Sequence, residues 1–222
     1  MTALGSAELP LRVALPTVGH WRAGAAWSGA STRRAPVYDP ATGQQIRDVS
    51  LADVDDVDAV IRSAHEAWAG WRTSSLSTRS RVLFSFRELL AAHAEELAEV
   101  ITGEHGKVLA DAAGEVARGL EVAEFACGIP HLLKGAYAPE VSTRVDVHSL
   151  RQPLGVVAVI SPFNFPAMVP LWFVPIAIGA GNAVCSSRVR RIHRRRWCSR
   201  GSGPRRVCRT GFSASCRATR SL

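Results

Sequence analysis

The chain has 222 residues, 47% of them hydrophobic and 21% charged, and 27 Lys and Arg stand against 19 Asp and Glu for a net charge of +8. This balance excludes a polymer that stays unfolded throughout, and residues 1–184 suffice for one ordinary domain or parts of two. The basic charge is local: Cys185 to Leu222 holds twelve Arg and no Lys, Asp or Glu, so the body is net acidic, and only Cys127 of the five cysteines lies in it. The body therefore reads as cytoplasmic and free of disulfides.

In chain order, MTALGSAELPLRVALPTVGHW places Glu8 and Arg12 where an export signal needs a basic start and an unbroken apolar run, so no such signal is expected. PVYDPATGQQIRDVS (Pro36 to Ser50) sets Asp-Pro and Thr-Gly turn chemistry between short β-type runs, which predicts a hairpin. Val54, Val57, Ile61, Ala64, Trp68 and Trp71 then recur with the spacing of one helix face. A second helix is expected with Ser77 as its cap and Val82, Leu83, Phe86, Leu89, Leu90, Leu97, Val100 and Ile101 as its stripe, ended by Gly103 and Gly106. A third covers roughly Val108 to Leu133, with Glu115, Arg118, Glu121 and Glu124 facing away from its apolar side. By this pattern Lys107 and Arg118 are solvated charges. VSTRVDVHS alternates with period two, as a half-exposed edge strand or arm does.

GVVAVI (Gly155 to Ile160) is apolar on both faces, the mark of a strand inside a covered parallel sheet. SPFNFPAMVP, an apolar helix LWFVPIAIGA and the turn GNAV opening another strand complete a strand–helix–strand unit. In open parallel sheets the ligand sits beyond the carboxyl ends of the strands, which marks Ser161, Pro162, Phe163 and Asn164 as the candidate site. The Asn164 amide could donate to a developing oxyanion, or it could simply satisfy backbone groups of the turn. Other signals are weak. GAGNAV lies after a helix and before a strand, the reverse of a dinucleotide fingerprint, and GEHGK lacks the glycine spacing of a phosphate loop. The cysteines and His193 of the tail show no CxxC pairing, so no metal is expected, and His65, His93 and His105 have no partners in sequence. The uncharged run from Gln152 to Ser187 is long enough to span a bilayer, but Pro153, Pro162, Pro166, Pro170 and Pro175 argue against one continuous helix, and no membrane partner is expected.

GHWRAG, PVYDPATG, GEHGKVLADAAGEVARGLEVAEFACGIPHLLKG, RQPLGVVAVISPFNFPAMVPLW and GNAV together resemble the N-terminal part of the NAD-dependent aldehyde dehydrogenase superfamily, specifically its methylmalonate-semialdehyde dehydrogenase (CoA-acylating) branch. The resemblance implies an α/β fold: the start of a Rossmann-like parallel sheet with helices, an oligomerisation arm, and a disordered basic tail. It divides the chain into a helical N-terminal part of the NAD-binding domain (1–136), the arm (137–153), the first strand–helix–strand of the sheet (154–184) and the tail (185–222). The activity it implies is oxidation of malonate or methylmalonate semialdehyde by a cysteine thiolate. A thiohemiacetal forms, hydride passes to NAD, coenzyme A as co-substrate accepts the acyl group, and carbon dioxide is lost to leave acetyl-CoA or propanoyl-CoA. By position, Asn164 matches the oxyanion-stabilising asparagine, Ser161 and Phe163 match residues lining the NAD site, and Arg118 matches an arginine that holds the substrate carboxylate. The small-molecule semialdehyde and a second copy of the chain in a homo-oligomer are the implied partners.

The pattern departs from the family at Cys185. The family continues with Lys-Pro-Ser-Glu, whose lysine and glutamate contact the adenosine ribose, and Ser187 and Arg190 stand at those two positions. None of the five cysteines has the context of the family nucleophile. Codons for CSSRVRRIHRRRW can be chosen so that, read from the third base, they give LKPSEKDPSAAL, and VCRTGFSASCRATRS similarly yields LPDGVLSVVPGDKE. Both strings look like this family. The tail is thus expected to be an out-of-frame translation and the chain inactive, with nonspecific nucleic-acid binding through the Arg run and Trp197 as the alternative. Resequencing across the codons for Val184 and Cys185 is expected to reveal one base fewer than an intact frame requires. A downstream sequence with no long open frame would refute the reading.

Overall fold

The computed structural model describes residues 15–188 and 214–216. The Arg run, His193, Trp197, Cys198 and Cys208, on which the tail readings fall, lie outside the described residues. The described chain begins with β1 (Thr17–Val18), β2 (His20–Arg22) and β3 (Ala25–Trp27). Ala23 and Gly24, both at positive φ (50° and 84°), turn β2 back on β3, the geometry a two-residue hairpin needs. β4 (Arg34–Tyr38) and β5 (Gln45–Ser50) form the hairpin expected from PVYDPATG. The Asp39 carboxylate fixes its turn by accepting from the Ala41 amide at 2.8 Å.

α1 (Val54–Trp71) starts with a capping box in which Asp53 accepts from the Asp56 amide and Asp56 from the Asp53 amide. Asp56 is buried and also accepts from the amides of Ala30 (2.6 Å) and Ser31 (3.2 Å), tying the preceding loop to the helix. Burial alone would raise its pKa. The three backbone donors outweigh that and hold it below the ordinary carboxylate value. The buried stripe is accordingly rotated from the expected one: Asp56, Val60 and Ala64 face inward, while Val54 and Ile61 are exposed.

The expected second helix is two helices. α2 (Leu76–Ala92) is capped by Ser75, not Ser77, whose hydroxyl oxygen accepts from Thr78 N at 3.1 Å. It stops at His93, whose φ and ψ of −111° and 18° are not helical, and α3 (Ala94–His105) continues to a left-handed cap at Gly106. Gly103 sits inside α3. The third pattern also divides, at Gly128, into α4 (Leu109–Cys127) and α5 (Ile129–Leu132). Arg118, Glu121 and Glu124 face outward as expected, but Glu115 is buried. Where one alternating strand was expected there is a turn with Arg144 at φ 62°, so β6 (Tyr137–Ser142) and β7 (Val145–His148) make a two-stranded antiparallel ribbon, every residue of it exposed.

β8 (Val156–Ser161), α6 (Met168–Gly179) and β9 (Ala183–Arg188) form the strand–helix–strand unit, with β8 and β9 parallel in the register Val156 to Ala183 through Ser161 to Arg188. β9 continues past the change of composition at Cys185, and β10 (Ala214–Cys216) pairs with β9 and β2. The five-stranded sheet runs β3-β2-β10-β9-β8, and a separate three-stranded sheet runs β1-β5-β4. Val60 and Ala64 of α1 pack on Ala183 and Cys185 with Trp27 and Trp68 around them. Leu83, Ala126, Cys127 and Ile129 form a second cluster against Ile176, and Ala98, Ile101, Ala112 and Val116 a third against Ala167. Among the described residues no helix is long and apolar enough to cross a membrane.

Two buried groups set the junctions. Arg79 has no carboxylate partner among the described residues; its guanidinium donates to Ser74 Oγ, to the Arg72 carbonyl at 2.7 Å and to the Gly179 carbonyl at 3.4 Å, closing the ends of α1 and α6 together. Gly181, at φ 93°, lies against it, and a Cβ there would come within 2.6 Å of Arg79 Nη1. Gly181→Ala is therefore expected to cost the backbone strain of a left-handed alanine, about 1–2 kcal/mol, plus roughly 1–3 kcal/mol for displaced buried hydrogen bonds. Gly43→Ala, at φ 72° with open space around it, should cost the backbone strain alone. Denaturant unfolding of the two variants checks the difference. His20 is buried against Trp27, with no hydrogen-bond partner for either ring nitrogen among the described residues. Burial lowers its pKa from the ordinary 6.5, against an opposing pull from Asp56. Below pH 6.5 the unfolded chain thus binds this proton more readily than the folded one, so stability present above that pH is lost as pH falls. His20→Phe should flatten the fall in unfolding midpoint between about pH 7 and 5, in a window above the one where Asp56 titrates.

Candidate active site

The candidate site is the end of β8 and the turn into α6. Five apolar residues, Val156 to Ile160, carry the chain to Ser161, which is fully buried and donates its hydroxyl to the Ser187 carbonyl on β9 at 3.3 Å. Ser161 thus supports the strand end, and its hydroxyl is already committed. Beyond it the turn emerges: Phe163 and Phe165 are 46% and 37% exposed, and Asn164 is exposed between them. The Asn164 side chain makes no hydrogen bond among the described residues. Of the two readings of this residue, satisfaction of turn backbone groups is therefore not what the structure shows.

What holds the turn comes from α4. Glu115 Oε1 accepts from the amides of Ala167 (2.9 Å) and Met168 (3.1 Å), the first donors of α6, and Oε2 pairs with the Lys107 ammonium. The Glu115 side chain is 1% exposed and that of Lys107 14%, so this is a buried ion pair seated on a helix N-terminus, where negative charge is favoured. Lys107 also lies 4.3 Å from the centroid of the Phe165 ring. Neither residue is a solvated charge. The sequence signal that could have found Glu115 is its spacing, since it stands three residues after buried Ala112 and four before Gly119, on the inward stripe.

Arg118, one turn further along α4, is 70% exposed and pairs with Glu121 at 3.0 Å. No hydrogen bond joins it to the Asn164 turn among the described residues. The two elements are locked in register all the same, because a Cβ at Gly119 would fall 2.4 Å from Leu171 Cδ1 of α6. Ser187, at the position where the resemblance implies a lysine, is buried, and Arg190 lies outside the described residues. Cys127 and Cys185 are both buried, and burial holds the Cys127 thiol above its ordinary pKa, so it is a poor nucleophile. No group of three or more potential metal ligands occurs among the described residues.

The aldehyde dehydrogenase family model matches residues 27–187. The chain is 47% identical to a malonate-semialdehyde dehydrogenase of Pseudomonas aeruginosa over 150 residues, which is 68% of this chain and 30% of that protein. A second malonate-semialdehyde dehydrogenase, from Geobacillus thermodenitrificans, is 45% identical over 160 residues, 72% of this chain and 33% of the relative. Among solved structures, the methylmalonate-semialdehyde dehydrogenase of Oceanimonas doudoroffii superposes with a TM-score of 0.75 at 44% identity, covering 78% of this chain and 36% of that one. A Sinorhizobium meliloti structure named for the same activity and complexed with NAD gives 0.76 at 40% identity, covering 78% and 35%. The chain spans about a third of the length of these relatives. With the matched region holding β8, the Asn164 turn, α4 and α6, the chain belongs to the aldehyde dehydrogenase family.

Proposed function

We propose that this chain carries the oxyanion donor and the carboxylate clamp of an NAD-dependent, CoA-acylating malonate- or methylmalonate-semialdehyde dehydrogenase. The observation that carries the reading is the exposed Asn164 amide, which has no hydrogen-bond partner among the described residues and stands beyond the carboxyl end of a parallel strand. When a thiolate adds to an aldehyde the carbonyl oxygen becomes an anion, and a fixed amide that has no competing acceptor stabilises that charge more than it stabilises the neutral carbonyl. Arg118 suits the other end of the substrate. Its pair with Glu121 is exposed and weak, so a semialdehyde carboxylate can replace Glu121 on the guanidinium.

The residues present fit one part of an NAD site. Phe163, half-exposed at the strand end, offers an apolar surface beside Asn164, and the backbone at Ser161 reaches the same edge. The adenosine side fits poorly: Ser187 is buried and uncharged, and the α6 amides of Ala167 and Met168 are already occupied by Glu115. NAD would supply the hydride acceptor when bound. Coenzyme A as acyl acceptor, a homo-oligomer built through the β6–β7 ribbon, and a cytoplasmic setting belong to the same proposal. So does the reading of residues from Cys185 onward as an out-of-frame translation.

With Cys127 and Cys185 both buried, the 222-residue chain is expected to produce no NADH from malonate semialdehyde, NAD and coenzyme A. Turnover above a no-enzyme control would overturn this. In the frame-restored chain, Arg118→Leu removes a charge-assisted contact and should lower kcat/KM for malonate semialdehyde by roughly ten- to a hundredfold. Propanal, which lacks the carboxylate, should be affected far less. Asn164→Ala should lower turnover of both aldehydes, since it acts on the reacting centre they share. Equal losses for the two aldehydes in the Arg118 variant would show that arginine to be structural.

A further inference from the structure

The Asn164 side chain makes no hydrogen bond among the described residues, so its amide is placed only through the backbone that carries it. That backbone is stiff. Pro162 and Pro166 restrict the residues before them, and the turn is anchored upstream by the buried Ser161. Downstream its anchor is Glu115, which accepts from both Ala167 N and Met168 N through one oxygen while Lys107 neutralises the other. Lys107 in turn lies over Phe165, the residue next to Asn164. The side-chain hydrogen bonds given for the downstream half of this turn therefore trace to one buried carboxylate on a different helix, beside the apolar packing of Ala167 on the Ala98 cluster.

We infer that Glu115 is a positioning residue for the oxyanion donor: its Oε1 holds the first amides of α6, and so aims the Asn164 amide, while Lys107 makes that buried carboxylate tolerable. The inference rests on the reading of Asn164 as the donor. It distinguishes the acceptor oxygen, which does the aiming, from the charge, which does not. Replacing both members of a buried ion pair by uncharged groups of similar volume is often neutral for stability, which provides two comparable double variants. Lys107→Met with Glu115→Gln keeps an acceptor oxygen for Ala167 and Met168. Lys107→Met with Glu115→Met removes it.

In the frame-restored chain the Gln pair is expected to keep kcat close to the parent. The Met pair should lose roughly a hundredfold in kcat, the scale of a small misplacement of a reacting group, with little change in KM. Placed in an Asn164→Ala background, itself slower by roughly a hundred- to a thousandfold, the Met pair should cause no further loss, because the residue through which it acts is gone. Losses that multiply, or a Gln pair as slow as the Met pair, would overturn the inference and leave the role of Asn164 standing. An Asn164→Ala chain with undiminished turnover would remove both. Amide exchange in the 222-residue chain decides the geometry without catalysis: Ala167 and Met168 should exchange roughly tenfold faster or more in the Met pair than in the Gln pair. Equal protection in the two overturns the inference.

Discussion

Burying a carboxylate on α4 is tolerable only if every lone pair it turns inward finds a donor, and Glu115 meets that condition with two amides and an ammonium. The arrangement satisfies two needs at once. α6 begins with amides that have no partner within the helix, and Ala167 at its N-terminal end has no side chain able to cap it. The carboxylate supplied from α4 closes that end and complements the helix dipole. α4 and α6 are thereby fixed along their axes as well as across them, because Gly119 lets Leu171 approach too closely for any side chain at that position. The residue that would clamp a substrate carboxylate and the turn that would stabilise the oxyanion are related through this one contact surface.

The opposite end of α6 is held by different chemistry. Arg79 gathers carbonyls from the ends of α1 and α6 beneath Gly181, and Trp71 Nε1 donates to the Ile178 carbonyl at 2.8 Å. α6, apolar almost throughout, thus receives a carboxylate at its amide end and a guanidinium and an indole at its carbonyl end. Between them it delivers the chain from the turn after β8 to the start of β9. Asn182 completes the junction by accepting from Gly155 N at 3.0 Å and donating to the Ala177 carbonyl. The turn GNAV thus holds the junction through the side chain of Asn182 as well as through its backbone.

Much of this was legible in the sequence, for identifiable reasons. The double-faced apolar run of β8 and the Asp-Pro and Thr-Gly turn of the β4–β5 hairpin are local signals, and both elements stand where they point. Helix boundaries were less legible, because Ser75 and Ser77 are equally good caps in isolation and His93 breaks a pattern whose apolar spacing runs on. The buried charges were least legible. A Glu and a Lys within a helical region look solvated unless the stripe is followed strictly, and even then the partner amides of Glu115 lie 52 and 53 residues away. Ser161 does end the strand, while the commitment of its hydroxyl to Ser187 could not be seen without β9 beside it.

β9 crosses the point where the sequence changes character, and the pairing with β8 does not falter: Cys185 faces Ala158, Ser186 faces Val159 and Ser187 faces Ile160 in unbroken parallel register. A ladder is made of amides and carbonyls that every residue except proline carries. Cys185 and Ser187 are small enough to be buried where the sheet requires it. Sheet formation is in this sense illiterate: it tests shape and pattern, and accepts any run of letters that meets them. The backbone ladder alone therefore carries β9 from Ala183 through Arg188, on terms that ask nothing of what its side chains could offer a ligand.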